Sequence, residues 1–291
     1  MRTAALLIVL ASAVLAAQTP LLTPQQLSQF HGAYSEAIEP FRIVGNIHYV
    51  GAKNIASYLI TTRDGHILID TGTNEMGPVV RTNVEKLGFK LTDIKVMLSS
   101  HAHFDHIQGH AAMKKATGAR VMAIREDAEA LEAGRDLSPL GSEGWEPVKI
   151  DRMLKDGDTV ALGGTTLRAV HAPGHTPGCT VWTTAVADAG RNYSVVFHGC
   201  GGPNGGVKMV GNPKFPNLAK QAMDTVARLK QLKPEIYLSG HPQAMFEGKI
   251  DAMKAAARPH PLLITPEGWM KMLTDNEATL KKRIDTERAA S

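Results

Sequence analysis

His101, His103, Asp105 and His106 place four metal-binding side chains within six positions, in the run Ser99-Ser100-His101-Ala102-His103-Phe104-Asp105-His106. Imidazole nitrogen and carboxylate oxygen are donors that suit zinc, and a catalytic zinc keeps one position open for water. Four donors this close cannot share one face of a helix. They directly follow the apolar run Ile94 to Leu98, which reads as a buried strand, so they fit a loop at a strand end that wraps a cation. An extended chain alternates faces, which sends His101 and His103 to one side. Asp105 and His106 then turn the other way, toward a second ion. The bland alternative, a polar loop that happens to be rich in histidine, is disfavoured by this spacing after a strand.

Further strand ends carry polar groups. They are Asp70 after His66 to Ile69, His175 within Pro173 to Gly178, Cys200 after Tyr193 to His198, and His241 within Gly240-His241-Pro242. Strand ends of a rigid sheet are where a site is held firmly. The spacing suggests a first ion on His101, His103 and His175 and a second on Asp105, His106 and His241. Three protein donors per ion leave room for a shared water. Asp70 ends a strand, where a carboxylate either orients a ligand histidine or caps a turn. His110 and His198 flank the site. His31, His48, His66 and His260 read as ordinary surface or satisfied core residues. Core or rim packing is the expected role of Phe104, Trp145 and Met209.

These donors need a scaffold, and the chain supplies strands followed by helices twice. Ile43 to Val50 and Ile55 to Thr62 alternate like two antiparallel strands, Asp64-Gly65 marks a turn, and His66 to Asp70 reads as a further strand. Helices are expected over Met76–Leu87, His110–Thr117, Asp127–Glu132, Asn217–Leu232, Ile250–Arg258 and Glu267–Arg288. Strands are expected over Arg120–Ile124, Leu167–His171, Thr180–Thr184, Tyr193–His198 and Glu235–Leu238. Residues 134–147 have no periodicity and are long for a connection, which makes them either a substrate-facing loop or a plain surface excursion. No Gly/Ser linker divides the halves, so residues 18–291 read as one domain of two packed α/β halves.

The 291 residues are 43% hydrophobic, enough to bury a large core. The net charge is +4, but Lys and Arg are scattered and form no block interleaved with aromatics. Nucleic acid is therefore not an expected partner. Residues 1–17 read as a signal peptide: Arg2 is the positive end, Ala4 to Ala13 the apolar run and Val14-Leu15-Ala16-Ala17 the small-residue cleavage site. That run is too short to span a bilayer. The expected mature protein is a monomer without a membrane anchor, periplasmic or secreted from a bacterium, and an uncleaved N-terminal anchor is the alternative. Cys179 and Cys200 are the only cysteines. An oxidising compartment permits a bridge between them, but a domain this size does not need one, and they read as two free thiols.

The sequence resembles the metallo-β-lactamase superfamily, whose signature is His-x-His-x-Asp-His, here His101 to His106. Gly174 to Gly178 matches that superfamily's third ligand loop and favours His175 over His171. The chain looks most like subclass B3 of the zinc β-lactamases, through Leu98–His106, Gly174–Gly178, Gly211–Leu218 and Ser239–Pro242, and the likeness runs from about Phe41 to the final helix. The resemblance implies an α/β fold, a four-layer αβ/βα sandwich, with two Zn2+ ions. It implies hydrolysis of the β-lactam ring of penicillins, cephalosporins and carbapenems by hydroxide between the ions, with Asp105 holding the second ion and orienting that hydroxide. The subclass usually has serine where this chain has Cys200, and a second serine at Gly202, whereas other branches place a zinc-binding Asp or Cys at that strand end. Cys200 is therefore an alternative metal ligand beside His106, with His106 the expected regular one. The rival reading is a lactonase or thioesterase of the same superfamily.

Overall fold

The computed structural model describes residues 34–242 and 263–290, together with the isolated positions 32, 252 and 255. The expected signal peptide over residues 1–17, most of the arm after it, and nearly all of the helix expected over 250–258 lie outside the described residues. So do His31 and His260. Among the described residues, one sheet has seven strands in the order β1 (Phe41–Val44), β2 (Ile47–Tyr49), β3 (Tyr58–Thr62), β4 (Gly65–Ile69), β5 (Ile94–Leu98), β6 (Arg120–Ile124) and β7 (Arg152–Leu154). A second has five, in the order β12 (Ile236–Ser239), β11 (Arg191–His198), β10 (Thr180–Asp188), β9 (Thr165–His171) and β8 (Thr159–Leu162).

Alternation along each strand assigns the layers, because successive side chains point to opposite faces. In the first sheet Ile67, Ile69, Val96, Leu98, Met122 and Ile124 enter one buried cluster, and in the second Leu167, Ala169, Trp182, Val195, Phe197, Ile236 and Leu238 enter that same cluster. The two sheets therefore pack face to face. The intervening residues Leu68, Met97, Val121 and Ala123 face the opposite way, under α1 (Gly77–Lys86), the single turn α2 (Phe104–Ile107), α3 (His110–Thr117) and α4 (Arg125–Ala133). Val170, Val181 and Val196 lie under α5 (Leu218–Leu229) and α6 (Pro266–Ala289). In α5 the buried residues Leu218, Ala222, Thr225, Val226 and Leu229 recur at helical spacing, the stripe that a helix lays on a sheet. The result is the four-layer αβ/βα sandwich of two packed halves. No helix among the described residues is long and apolar enough to cross a membrane.

The pairs β4–β5, β5–β6, β6–β7 and β11–β12 are parallel, and β9, which leads to His175, is antiparallel to both β8 and β10. Two side chains stitch the sheets together near the strand ends. The Trp182 indole donates to the Ser99 carbonyl at 3.0 Å, and the Tyr58 hydroxyl donates to the Ser239 carbonyl at 2.6 Å. One strand expectation needs correction. Residues 43–50 are not one strand but parts of two, folded back on each other as β1 and β2. Gly45 turns the chain at φ +50°, where an added Cβ would strike Val186 and the Ala187 carbonyl, so the break depends on glycine. The turn expected near Ala189-Gly190 is present, with both residues at positive φ as a tight hairpin requires.

Candidate metal centre

All the candidate donors sit just past strand ends. The Ser99–His106 segment leaves β5, His175 lies in the loop between β9 and β10, and His241 follows β12. The structure brings His101, His103 and His175 together, with one ligand atom from each lying within 4.8 Å of the others. Their rings meet edge to face at centroid distances of 4.5–4.9 Å. A second group forms beside them. His106 Nε2 lies 3.2 Å from His241 Nε2, and Asp105 Oδ2 lies 3.5 Å from the first of these atoms and 3.7 Å from the second. All six predicted donors thus converge into two adjoining groups of three.

The surroundings fix which ring nitrogen is free. Asp70 Oδ2 accepts from His106 Nδ1 at 3.0 Å, which leaves Nε2 with its lone pair. His175 Nδ1 donates to the Gly202 carbonyl at 2.7 Å. His103 Nε2 bonds to Ser138 Oγ at 2.9 Å and lies 3.8 Å from Asp136 Oδ2, so Nδ1 remains for a ligand. His241 bonds to the backbone of Asn54. His101 Nε2 is buried with no hydrogen-bond partner. An orphaned imidazole nitrogen, and two Nε2 atoms facing each other beside a carboxylate, are costly arrangements unless something positive lies among them. The donor set of five imidazoles and one carboxylate therefore fits a pair of zinc-class cations.

Basicity points the same way. Burial, then neighbouring histidines, lowers His101 well below the ordinary imidazole value. Burial lowers His103 to about 4 against the pull of Asp136, His241 to about 4 and His175 to about 3. Such rings are neutral at pH 7, as ligation requires. His106 differs. Burial pushes it down too, but Asp105 and Asp70 together raise it above the ordinary value. Two carboxylates that favour a proton at this point also favour a cation there.

Asp70 takes the orienting role rather than a bare turn cap. It accepts from the Ser100 N–H at 2.7 Å and the Ser100 hydroxyl at 2.6 Å as well as from His106. Its backbone sits at φ 59°, uncommon for a residue other than glycine. Cys200 must be corrected. It is not a free thiol beside the second group but is joined to Cys179 in a disulfide, with their Cα atoms 6.1 Å apart. A disulfide sulfur is no thiolate, so Cys200 is not an alternative ligand in this form. His110 bonds to Thr71 at 2.8 Å, His171 to the Pro177 carbonyl at 2.7 Å, and neither joins the donors. His198 packs edge to face on Trp269. Phe104, Trp145 and Met209 are buried in hydrophobic clusters.

Sequence reasoning missed the residues that brace the two ligand loops. Asp127, in the first turn of α4, is 1% exposed. Its carboxylate accepts from the Ala102 N–H at 2.8 Å, the Thr176 hydroxyl at 2.7 Å and the Gly178 N–H at 2.7 Å. It ties the His101–His103 segment to the His175 loop. Burial raises it to about 6 against the opposing effect of those three bonds. Ser138 and Asp136, which reach His103, come from the aperiodic 134–147 stretch. A carboxylate one helical turn past a strand was the only sequence signal for Asp127. Beside His241 a cavity of about 300 Å³ is bounded by His198, Tyr237, Met272 and Asn276.

Comparison with known proteins agrees with this geometry. Residues 50–241 match the model of the Metallo-beta-lactamase superfamily. Among solved structures, the native FEZ-1 metallo-beta-lactamase from Legionella gormanii is 32% identical, with a TM-score of 0.83 over 87% of this chain and 98% of that one. The class B3 di-zinc metallo-beta-lactamase LRA-12 from an Alaskan soil metagenome is 32% identical, with a TM-score of 0.80 over 86% of this chain and 96% of that one. A hydroxyacylglutathione hydrolase of Rhodospirillum rubrum is 29% identical over 180 residues, 60% of this chain and 59% of its own length. The chain spans only 34% to 59% of the length of the first curated relatives it matches.

Proposed function

The chain belongs to the metallo-beta-lactamase superfamily and is a hydrolase of that kind; from that premise we propose that it opens the β-lactam ring of small antibiotics, using two zinc ions. His101, His103 and His175 would hold the first ion, and Asp105, His106 and His241 the second. The observation that carries this reading is the pairing of two three-donor groups, neither of them closed by a fourth protein ligand among the described residues, which is the pattern of a catalytic rather than a structural site. When bound, zinc supplies a water that ionises near neutral pH and a positive charge for the carbonyl oxygen.

The chain's own residues do the positioning. With two zinc ions held, five neutral imidazoles and one carboxylate would leave the centre with net positive charge, suited to an anionic substrate. Asp105, whose side chain is 12% exposed, presents a carboxylate at the mouth of the second group. It is placed to take the proton of the attacking water and deliver it to the ring nitrogen as the C–N bond breaks. Asp70 and Gly202 keep His106 and His175 in the tautomers the site needs. The cavity beside His241 has room for ring substituents. The second reading, hydrolysis of a thioester or lactone, draws on the similarity to hydroxyacylglutathione hydrolases. Against it, the disulfide at Cys200 leaves no carboxylate at that strand end. We read residues 18–291 as one exported domain, released from residues 1–17.

Nitrocefin hydrolysis with and without a chelator tests the proposal. Turnover that disappears on chelation and returns with zinc is the expected result. Absence of nitrocefin turnover, alongside zinc-dependent cleavage of a lactone or an acylglutathione, overturns it in favour of the second reading.

A further inference from the structure

We propose that the Cys179–Cys200 disulfide is the oxidised form of a further metal site, in which the two sulfurs and His101 together take a soft divalent cation once the bridge is reduced. Both sulfurs and one His101 nitrogen lie within 4.8 Å of one another, and all three residues are buried. Cα atoms 6.1 Å apart suit a shared cation as well as a bridge. Two thiolates on one tetrahedral zinc at about 2.3 Å stand roughly 3.8 Å apart, a separation that rotation of the two side chains can reach. There is space for the movement. Cys200 borders the cavity of about 300 Å³ beside His241, and the next residue, Gly201, has open space where a side chain would be. Thiolate is a softer donor than imidazole or carboxylate, so this set selects zinc-class or softer ions.

The reaction balances with a dithiol as reductant. Its two thiols supply two electrons and two protons, its own sulfurs close to a disulfide, and the Cys179–Cys200 bond breaks to two thiols. Each thiol then gives its proton to solvent as its sulfur takes the cation. In an oxidising compartment the bridge persists and His101 serves the His103–His175 group; in a reducing one His101 is drawn to the sulfurs. This exclusivity rests on the hydrolytic reading above, but the site itself does not.

Cobalt(II) added to the full chain tests it, after reduction with a water-soluble phosphine that is then removed under anaerobic conditions. Two titratable thiols and a near-ultraviolet thiolate-to-cobalt band are expected in the reduced protein. The band is expected to be missing from the oxidised protein, from reduced protein alkylated with iodoacetamide, and from the Cys179→Ala/Cys200→Ala variant. His101→Ala should weaken cobalt binding at this band by at least about tenfold, the low end of what even an outer partner's loss costs a metal site. Two free thiols without the band, a bridge that native protein refuses to release, a band that survives alkylation, or a band indifferent to His101→Ala would each overturn the proposal. Hydrolysis, measured separately with zinc, is expected to fall on reduction of the native protein and not on phosphine treatment of the double variant. If no hydrolysable substrate is found, the cobalt band still reports the site.

Discussion

Replacing Asp127 by alanine should weaken both the fold and the first metal group. The carboxylate is buried and accepts from two backbone N–H groups and one hydroxyl. Thr176 can turn its hydroxyl elsewhere, but the Ala102 and Gly178 N–H groups cannot move without their loops. Each buried donor left without a partner costs about 1–3 kcal/mol, so the pair costs about 2–6 kcal/mol. Burial of an ionised carboxylate offsets part of this, since Asp127 is raised to about 6 and is charged at pH 7 only against desolvation. A net loss of about 2–4 kcal/mol remains, read from urea unfolding of chelator-treated protein at pH 7. The loops that carry His101, His103 and His175 lose their common brace, and zinc affinity should fall by roughly 10–100-fold, as for loss of an outer partner of a metal site. Competition with a chromophoric chelator measures it. Unfolding free energy within about 1 kcal/mol of the native protein, with unchanged zinc affinity, would refute the brace.

Asp70→Ala removes the acceptor that fixes the His106 tautomer, and the weaker of two bound zinc ions should be lost about 10–100-fold more readily, as counted by metal analysis after dialysis. Gly199→Ala places a Cβ 2.5 Å from Ser100 Oγ and 3.1 Å from His101 Nδ1; Ser100, which bonds to both Asp70 and His101, must shift, so zinc binding should weaken while far-ultraviolet circular dichroism stays unchanged. The metal-free protein should also be acid-sensitive in a defined window. His103 and His241 are held down to about 4 and His175 to about 3, so the unfolded chain binds protons first as pH falls. The share of stability these three imidazoles supply is complete above about pH 6.5 and is lost on descent toward about 4, and toward about 3 for His175, at up to ~1.4 kcal/mol per pH unit for each imidazole, offset in part by His106 and Asp127, which are raised on folding. A urea midpoint that stays flat between pH 7 and 5 would contradict this.

The six donors were legible because histidine and aspartate at strand ends are chemically conspicuous and the strands before them are plainly apolar. Their division into two groups followed from side-chain alternation along an extended chain, and the layers followed from the same alternation at Ile67, Leu68 and Ile69. What was hidden depends on contacts between distant segments. Asp127 looks like any acid in a first helical turn, and its role exists only because two loops present their N–H groups to it. The approach of Cys179 to Cys200 follows from the end of β11 meeting the start of β10, which spacing in sequence does not encode. Ser138 and Asp136 sit in a stretch without periodicity, so nothing singled them out. The β1–β2 break falls at Gly45-Asn46, a two-residue turn pair that was legible in the sequence and was overlooked between the apolar residues on either side.

The donors are shared unequally. Four leave β5, on the first sheet, while His175 follows β9 and His241 follows β12, both on the second. A chain still emerging from the ribosome that has finished β7 holds an incomplete set for either ion. On the proposed two-zinc reading, each ion would gain its last imidazole only when the later strands have landed. Metal uptake would then come late in maturation, as a clasp between the lobes rather than as the seed that gathers them.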